Sequence, residues 1–453
     1  MPVDNHSFQP SRDRAASDDE LKSVQPTASV KSDRDQLMDS TVEFWRNCGL
    51  TVLPRVSLLS DAPKNSGGAA TDESVLFIGS NTNIIKNIIT TGTLPENGLC
   101  TSQPKLRLMN YKALFTDEPI SCASYFHSVG ITFDRTNYAR LVHTLDLYFK
   151  DILNLSRDKL VVTTYGEESL FKPWAELGYP VRTENCTEKF DWEFGVVGDD
   201  GRAKLVGRGI YFGILDQNGA PVGDFATLEE IRDVSKGVVA YEFGMGYEAL
   251  LAVEQSSQAT VRHPIAYSCL GCFIEPSEPN AQFLKVVDSL LVVLSILNEG
   301  AGLHRGDFST QATYSFFRRF LRGLLFYSAQ LGVPATQLER FVSHARDAEF
   351  SNIPDSKARQ LLDTVAEYQT RQQFFHGRVA ELVRGELTGA GLILPTVRRH
   401  VRAKTPIDVL DVADQSGIIA FERSDFFGGI RSSLVDGRYI STAELKERKG
   451  EVS

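Results

Sequence analysis

The sequence predicts an α+β protein in which an antiparallel sheet with flanking helices precedes a helical domain. Up to Tyr241 the chain shows short apolar runs separated by turns, with a few amphipathic helices between them. From Ala281 it changes to long helical stretches, of which the first, Ala281–Asn298, is apolar on most faces. We therefore place the sheet domain at 34–265, the helical domain at 266–385 and a small C-terminal segment at 386–453.

The composition of the chain bears on its partners, its compartment and any membrane or metal-binding role. The 453 residues carry a formal net charge of -10, which argues against general affinity for nucleic acid but allows a local basic face. Six cysteines without a disulfide-framework spacing, and no secretory signal, predict the cytoplasm. The apolar run at 281–297 is broken by Lys285 and Asp288, so no membrane span is expected. Cys269 and Cys272 form a C-x-x-C without a second ligand pair, and we predict no metal site.

The first part of the chain is divided by composition and periodicity. Residues 1–33 are rich in Asp, Ser, Arg and Gln, which predicts a disordered tail. A helix follows, with Ser32 as its predicted cap, Phe44 and Trp45 on its apolar face and Gly49 at its end. Further predicted elements are a strand at 75–78, a helix at 138–153, a strand at 159–165, a helix at 169–177, a strand at 206–212 and a turn at 216–219.

The stretch at 237–255 is the centre of the functional interpretation. It reads as a buried strand at 238–241, a turn through Gly244 and Gly246, and a helix from Tyr247. A strand, a glycine-rich turn and a helix N-terminus can together hold an anion or a nucleotide. The alternative is a tight strand-to-helix turn with no ligand.

The sequence from Gly244 to Glu248, followed by an apolar helix, resembles the third signature motif of class II aminoacyl-tRNA synthetases in its alanyl-tRNA synthetase form. Ala249 stands where that motif carries its ATP-binding arginine. The resemblance extends over about 34–385, and no stretch resembles the family's editing domain. Further matches are the segment 44–49, the pairs Ser57-Leu58 and Leu76-Phe77, and the Ser-Gln-x-x-x-Arg segment of Ser102, Gln103 and Arg107.

The resemblance implies a site for ATP with Mg²⁺, although its second motif is degenerate. Residues 122–131, at the place of that motif, lack its arginine and glutamate. His127 in this stretch is either a core or surface histidine or a replacement phosphate contact. Arginines from elsewhere could also reach the phosphates; the candidates are Arg107, Arg135, Arg140, Arg202 and Arg208. We name Arg107 and His127 as candidate catalytic residues.

The amino-acid side of the site is better preserved. The resemblance places Glu242 at the aspartate that binds the substrate ammonium, and Trp192 at the tryptophan of the amino-acid pocket. Together with Gly244 and Gly246, these residues form the predicted substrate site for a small, alanine-like amino acid. The alternatives are a solvated charge at a strand end for Glu242 and a core anchor for Trp192.

Arg318, Arg319 and Arg322 give the predicted helix at 310–331 a basic face, which predicts contact with tRNA. Gly323 stands where the family usually has a further arginine. The alternative is that these arginines pair with acidic residues of neighbouring helices, such as Asp288 or Glu299.

Three functions are compatible with these residues. The first is ATP-dependent amino-acid activation and transfer to tRNA by an alanyl-tRNA synthetase-like ligase. The second is a diverged paralog that lost ATP activation and acts as a tRNA-dependent aminoacyl transferase or a regulator. The third is an interaction protein on the same fold.

Overall fold

The computed structural model describes residues 28–59, 88–107 except 90, 110, 114, 120, 122–185 except 167, 190–193, 204–254, 281–308 and 311–384. Within these residues, nine strands form one sheet. They are β1 (Thr51–Val52), β2 (Leu99–Leu106), β3 (Tyr125–Asp134), β4 (Leu160–Thr164), β5 (Val181–Thr183), β6 (Asp191–Glu193), β7 (Leu205–Leu215), β8 (Pro221–Asp233) and β9 (Gly237–Gly246).

The strands are arranged in the order β1-β2-β3-β9-β8-β7-β4-β5, and β6 pairs with β7. All neighbours are antiparallel except the pairs β1–β2 and β4–β5. The described helices are α1 (Ala28–Asn47), α2 (Tyr138–Asp151), α3 (Glu168–Glu176), α4 (Tyr247–Glu254), α5 (Ala281–Asn298), α6 (Gln311–Gln330), α7 (Ala335–Ala348) and α8 (Asp355–Arg384). The structure confirms the predicted fold class, an α+β chain with an antiparallel sheet, flanking helices and a following helical region.

Helices α1, α2 and α3 pack against one face of the sheet. The predicted apolar side of α2 is buried in full, with Leu141, Leu145, Tyr148 and Phe149 packed in one core against alternate residues of β3, β7, β8 and β9. Successive strand residues point to opposite faces, so the other half of each central strand is turned away from this core.

Helix α1 joins this core through the aromatic face that the sequence predicted. Trp45 packs edge-on against Phe44 and lies 5.4 Å from the ring of Tyr148, while the hydroxyl of Thr41 hydrogen-bonds to that of Tyr148 at 2.9 Å. The helix ends before Gly49, whose φ of 87° lies in the left-handed region that favours glycine. The same α1 begins at Ala28 rather than after Ser32, so the predicted cap is wrong and residues 28–33 continue the helix.

The helical region packs directly on the end of the sheet. Its core is formed by α5, α6, α7 and α8, and it includes Leu106 and Tyr125 from the ends of β2 and β3. Asp288, buried within the apolar helix α5, accepts hydrogen bonds from the backbone N–H of Ser124 at 2.7 Å and from its hydroxyl at 2.6 Å. Burial raises the pKa of Asp288 to about 6, although the bonds from Ser124 act to lower it.

The prediction of a glycine-rich turn before α4 is wrong. Gly244 and Gly246 lie inside β9, where they are opposite Gly130 and Ser128 of β3, and α4 begins directly at Tyr247. Hydrogen bonding to a strand on each side keeps the glycines extended, because β9 is a central strand. The glycines therefore leave the surface of the sheet uncovered by side chains, and they do not form a turn.

Other predictions have mixed outcomes. The elements predicted at 138–153, 159–165, 169–177, 206–212 and 281–298 match α2, β4, α3, β7 and α5 to within a few residues. Elements without a prediction include β5, β8 and α7. The strand predicted at 75–78, the C-x-x-C at Cys269 and Cys272, the tail at 1–27 and the segment 386–453 lie outside the described residues.

The contact between Ser124 and Asp288 predicts how firmly the sheet holds the helical region. Asp288→Ala leaves two buried donors of Ser124 without a partner, which should cost about 2–4 kcal/mol of unfolding free energy. A control on the same helix is Ser295→Ala, because the buried Ser295 hydroxyl bonds only to the backbone carbonyl of Val292. The control should cost less than about 1 kcal/mol. Chemical denaturation measures both; equal losses would contradict the assigned role of Asp288.

Candidate functional site

A cavity of about 320 Å³ lies on the sheet face opposite the core of α1, α2 and α3. Residues from β2, β3, β7, β8 and β9 line it, together with the first turn of α4. The register explains this placement, since Lys105 is opposite Phe126, Ser128 is opposite Gly246, and Glu229 is opposite Glu242. The alternate residues of the same strands, such as Ile131 and Phe243, belong to the core.

The cavity lining carries a high density of charge. Its acidic and basic side chains are Lys105, Arg107, Asp224, Glu229, Glu242 and Glu248.

Lys105 is only 2% exposed, and Glu242 only 3%. Burial lowers the pKa of Lys105 below its ordinary value, while the nearby carboxylates of Glu242 and Glu229 act to raise it. Charged side chains are rarely buried unless they are paired, so a buried lysine beside two carboxylates indicates a cluster of charges. It is not typical of an apolar pocket.

Arg107 marks one end of the cavity. Its guanidinium carbon lies 4.3 Å from the centre of the Phe126 ring, and its backbone N–H donates to the carbonyl of Ser124 at 2.7 Å. A guanidinium on an aromatic face is held in place while its N–H groups remain able to bind an anion. Of the four proposed arginines that the structure describes, Arg107 is the one that lines the cavity.

The other candidate arginines have different positions. Arg140 donates to Asn97 and to the backbone carbonyl of Cys48, and Arg208 pairs with Asp191 at 2.8 Å. Arg135 is exposed in a short 3₁₀ turn beside α2. Arg202 lies outside the described residues.

His127 lies on the other side of β3, in a buried ion network. Its Nδ1 is 2.9 Å from Glu248 and its Nε2 is 3.0 Å from Glu349, and Arg34 lies 3.4 Å from Glu248 and 3.0 Å from Glu349. Tyr125 donates its hydroxyl to Glu349 at 2.6 Å. This network joins α1, β3, α4 and the residue after α7. Its members come from opposite ends of the chain, so no local motif could have revealed it.

The network sets the protonation of its histidine. Burial alone would lower the pKa of His127, but Glu349 and Glu248 outweigh it and raise the pKa to about 9. His127 is therefore a cation at neutral pH and balances the two carboxylates together with Arg34. The side chain of His127 therefore belongs to this network and lies away from the cavity. This position indicates a role in stability more than in phosphate binding.

The remaining predicted substrate residues converge in part. Glu242, Gly244 and Gly246 all line the cavity. Trp192 lies in β6, opposite Gly207 of β7. Sequence reasoning missed Glu229, Asp224 and Lys105; the alternation of β8 between apolar and polar residues was the one signal that could have pointed to Glu229.

The basic face of α6 is exposed in part. Arg318 is exposed and lies 5.8 Å from the ring centre of Tyr314, while Arg319 and Arg322 are half-buried. The acidic residues named as possible partners bind elsewhere: Asp288 to Ser124, and Glu299 to Arg55. Gly323 packs against Leu114 and Ser289, where a further arginine would not fit without displacing them.

Comparison with known proteins gives distant structural likenesses. No protein-family model matches the chain, and no curated protein matches it. The chain is similar to Entamoeba histolytica asparaginyl-tRNA synthetase in complex with asparaginyl-adenylate, at 10% identity and a TM-score of 0.31, over 55% of this chain and 69% of that chain. It is also similar to the RNA binding domain of threonyl-tRNA synthetase from Cryptosporidium parvum Iowa II, at 12% identity and a TM-score of 0.30, over 51% and 65%. Likenesses this distant carry no argument about activity.

Two further properties concern the described residues only. None of the helices in this part of the chain is long and apolar enough to span a membrane. The same residues contain no cluster of three or more histidine, cysteine, aspartate or glutamate side chains arranged to hold a metal ion.

The ion network predicts a loss of stability at alkaline pH. The pKa of His127 is raised to about 9 in the folded protein. The contribution of this histidine to the unfolding free energy is therefore complete below the pKa of the unfolded state, and it is lost as the pH rises through the pKa of the folded state. We expect the unfolding free energy to fall by on the order of 2 kcal/mol between pH 6.5 and 9.5. His127→Gln should remove most of this dependence, whereas His143→Gln, on the exposed side of α2, should keep it. Urea denaturation across this pH range measures the effect; a parent-like slope in His127→Gln would contradict it.

Proposed function

We propose that this cavity is the amino-acid and nucleotide site of an aminoacyl-tRNA synthetase-like enzyme, which activates a small, alanine-like amino acid with ATP and transfers it to tRNA. The observation that carries the proposal is the convergence of Arg107, Glu242, Gly244 and Gly246 on one cavity. Arg107 and the three residues of β9 were selected from two separate stretches of the sequence, and the register of β2, β3 and β9 brings these stretches together.

Each residue has a role that its chemistry suits. The carboxylate of Glu242 binds the substrate ammonium through a charge-assisted hydrogen bond. Arg107 binds the phosphates, and the glycines allow the ligand to approach the sheet without a side chain between them. Activation of this kind asks little covalent chemistry of the protein, since positioning and charge stabilisation lower the barrier.

ATP with Mg²⁺ fits these residues in part. Magnesium is usually held by one or two carboxylates together with substrate phosphates and water. The exposed carboxylate of Asp224, on the cavity lining, is of the right type, and Arg107 would hold the phosphates. When bound, ATP would supply the adenylyl group that makes the amino-acid carboxylate reactive, with pyrophosphate as the leaving group.

One observation favours the alternative of a paralog without standard activation. Ala249 lines the cavity at the position where the resemblance expects the ATP-binding arginine. One charged contact at such a site is worth several kcal/mol in the transition state, on the order of the oxyanion-hole values. With Arg107 as the one arginine of the described lining, we expect weak amino-acid activation. A tRNA-dependent aminoacyl transferase is therefore the second candidate function.

Pyrophosphate exchange with alanine tests this function. We expect weak exchange by the parent protein, and a further loss of about 100-fold or more in Arg107→Ala, since that variant lacks the guanidinium proposed to stabilise the transition state. Ala249→Arg should raise the exchange, because it returns a cation to the lining. Arg135→Ala serves as the control, because this exposed arginine lies outside the cavity.

The outcomes separate the two candidates. Parent-like exchange in Arg107→Ala would overturn the role of that arginine. No exchange in either the parent or Ala249→Arg would overturn amino-acid activation and leave the transferase as the better function.

Binding of tRNA tests the basic face of α6. Substituting Arg318 and Arg322 by Gln should weaken tRNA binding and lower the salt slope by about 1 for each phosphate that the protein no longer neutralises. The control carries the same change in charge elsewhere, Arg135→Gln with Arg182→Gln, both exposed. Filter binding over a range of salt concentrations measures the slope, and circular dichroism verifies the fold. Equal effects of the two double variants would show that the α6 face has no special role.

A further inference from the structure

Arg107 lies at the point where the ladder between β2 and β3 ends. Leu106 and Tyr125 are the last paired residues at this end, so Arg107 and Ser124 stand directly beyond them. The backbone N–H of Arg107 donates to the carbonyl of Ser124 at 2.7 Å, and its guanidinium lies over the ring of Phe126. Both the backbone and the side chain of Arg107 are therefore held by the part of the chain that begins β3.

This part of the chain is fixed by the carboxylate of Asp288, which comes from α5 in the helical region. The ends of secondary structure open more readily than the middle, so the last bonds of a ladder need support. Asp288 accepts the backbone N–H of Ser124 at 2.7 Å and its hydroxyl at 2.6 Å. Ser124 is fully buried and Asp288 is only 2% exposed. Two charge-assisted bonds to one buried residue hold that residue in a single position.

The remaining polar groups of Ser124 are also bonded. The side-chain amide of Asn110 donates to the Ser124 hydroxyl at 2.9 Å and to the backbone carbonyl of Cys122. Burial raises the pKa of Asp288 to about 6, while the bonds from Ser124 and Asn110 and the charge of Arg107 act to lower it. The carboxylate therefore acts on Arg107 both through Ser124 and through its charge.

We propose that Asp288 is a positioning residue for Arg107. It fixes Ser124, and Ser124 in turn fixes the backbone of Arg107 and the start of the strand that carries Phe126. The guanidinium is thereby kept at the cavity, where it can bind an anionic group of a ligand. This role rests on the proposed function only in naming ATP as that ligand, because the position of Arg107 can be measured without any reaction.

The positioning role gives the helical region a part in the site. The residues that line the cavity belong to the sheet, to the turn before β3 and to α4. Asp288 reaches the cavity only through Ser124, whose neighbours Cys122 and Ala123 belong to that lining. The sheet domain without the helical region would therefore keep Arg107 but lose the carboxylate that orients it.

A second contact between the same two regions provides a control. Tyr327 of α6 donates its hydroxyl to the backbone carbonyl of Leu114 at 2.7 Å. This bond holds the middle of the connection between β2 and β3, whereas Asp288 holds its end. Tyr327→Phe should therefore weaken the docking of the helical region and leave Ser124 in place.

Nuclear magnetic resonance of the full chain with isotope-labelled arginine measures the position of Arg107. Arg107→Lys identifies its side-chain Nε–H signal, and Phe126→Leu identifies the ring-current shift of that signal, because the guanidinium lies over the ring. Asp288→Ala should abolish the shift. Asp288→Asn should leave an intermediate shift, because its amide oxygen still accepts the backbone N–H of Ser124 while the hydroxyl loses its acceptor.

The control separates positioning from docking. Tyr327→Phe should lower the melting temperature, because the buried carbonyl of Leu114 loses its donor, and it should keep the parent shift of Arg107. The positioning role is wrong if folded Asp288→Asn keeps the parent shift, if Tyr327→Phe loses as much of it as Asp288→Asn does, or if Phe126→Leu leaves the signal unchanged. Asp288→Asn decides the matter even where Asp288→Ala does not fold.

Pyrophosphate exchange measures the consequence for the reaction. Asp288→Asn should lower exchange by about tenfold in the parent, the value of one hydrogen bond to a charged group. In an Arg107→Ala background the same substitution should have little effect, because residues that act as one unit are not additive. Equal losses in both backgrounds would show that Asp288 acts independently of Arg107 and would overturn the positioning role. A parent without exchange overturns the proposed function instead, and the shift of Arg107 then decides the positioning role by itself.

Discussion

The buried ion network of Arg34, His127, Glu248 and Glu349 is the interaction on which the arrangement of the molecule depends. It is the point where α1, the sheet, α4 and the helical region meet. Within the network, Arg34 and the protonated His127 offset the buried carboxylates of Glu248 and Glu349, and Arg34 also pairs with the exposed Asp35 at 2.9 Å. Removing one partner from a buried ion pair typically costs about 3–5 kcal/mol, because the other charge stays buried. Glu248 also precedes Ala249 in the cavity wall, so the network fixes one side of the site.

The second constraint is the alternation of the central strands. In β9, Phe243 packs into the core, while Glu242 and Gly244 line the cavity. A slip of one residue would bury the carboxylate among aromatic rings and expose the core, so the register is strongly specified. The same alternation means that the core and the cavity lining are formed by interleaved residues of one strand. Substitutions on the cavity face can therefore change binding while the core is preserved.

The sequence predicted the elements that depend on local periodicity. Helix α2 and helix α5 were located because their apolar spacing is set within the helix itself. The turn at Gly244 and Gly246 was predicted wrongly, because glycine favours turns locally while hydrogen bonds to β3 and β8 decide the conformation. His127 could not be placed either, since its partner Glu349 lies more than 200 residues away. In the cavity, Arg107 and Glu242 were predicted from a resemblance, whereas Lys105 and Glu229 required the strand order.

The position of Glu248 decides where an anion can bind. A helix N-terminus carries a partial positive charge that favours anions, and this was the basis for predicting an anion site at the start of α4. Glu248 is in the first turn of α4, and its carboxylate accepts the backbone N–H of His127 at 2.8 Å. The start of α4 therefore already carries a carboxylate that belongs to the ion network, so the helix end alone does not make an anion site. Arg107, held over Phe126 after the end of β2, is the guanidinium that the cavity lining offers to an anion. A triphosphate in this cavity would therefore be oriented from the β2 side, and the ammonium of an amino acid from the side of β8 and β9.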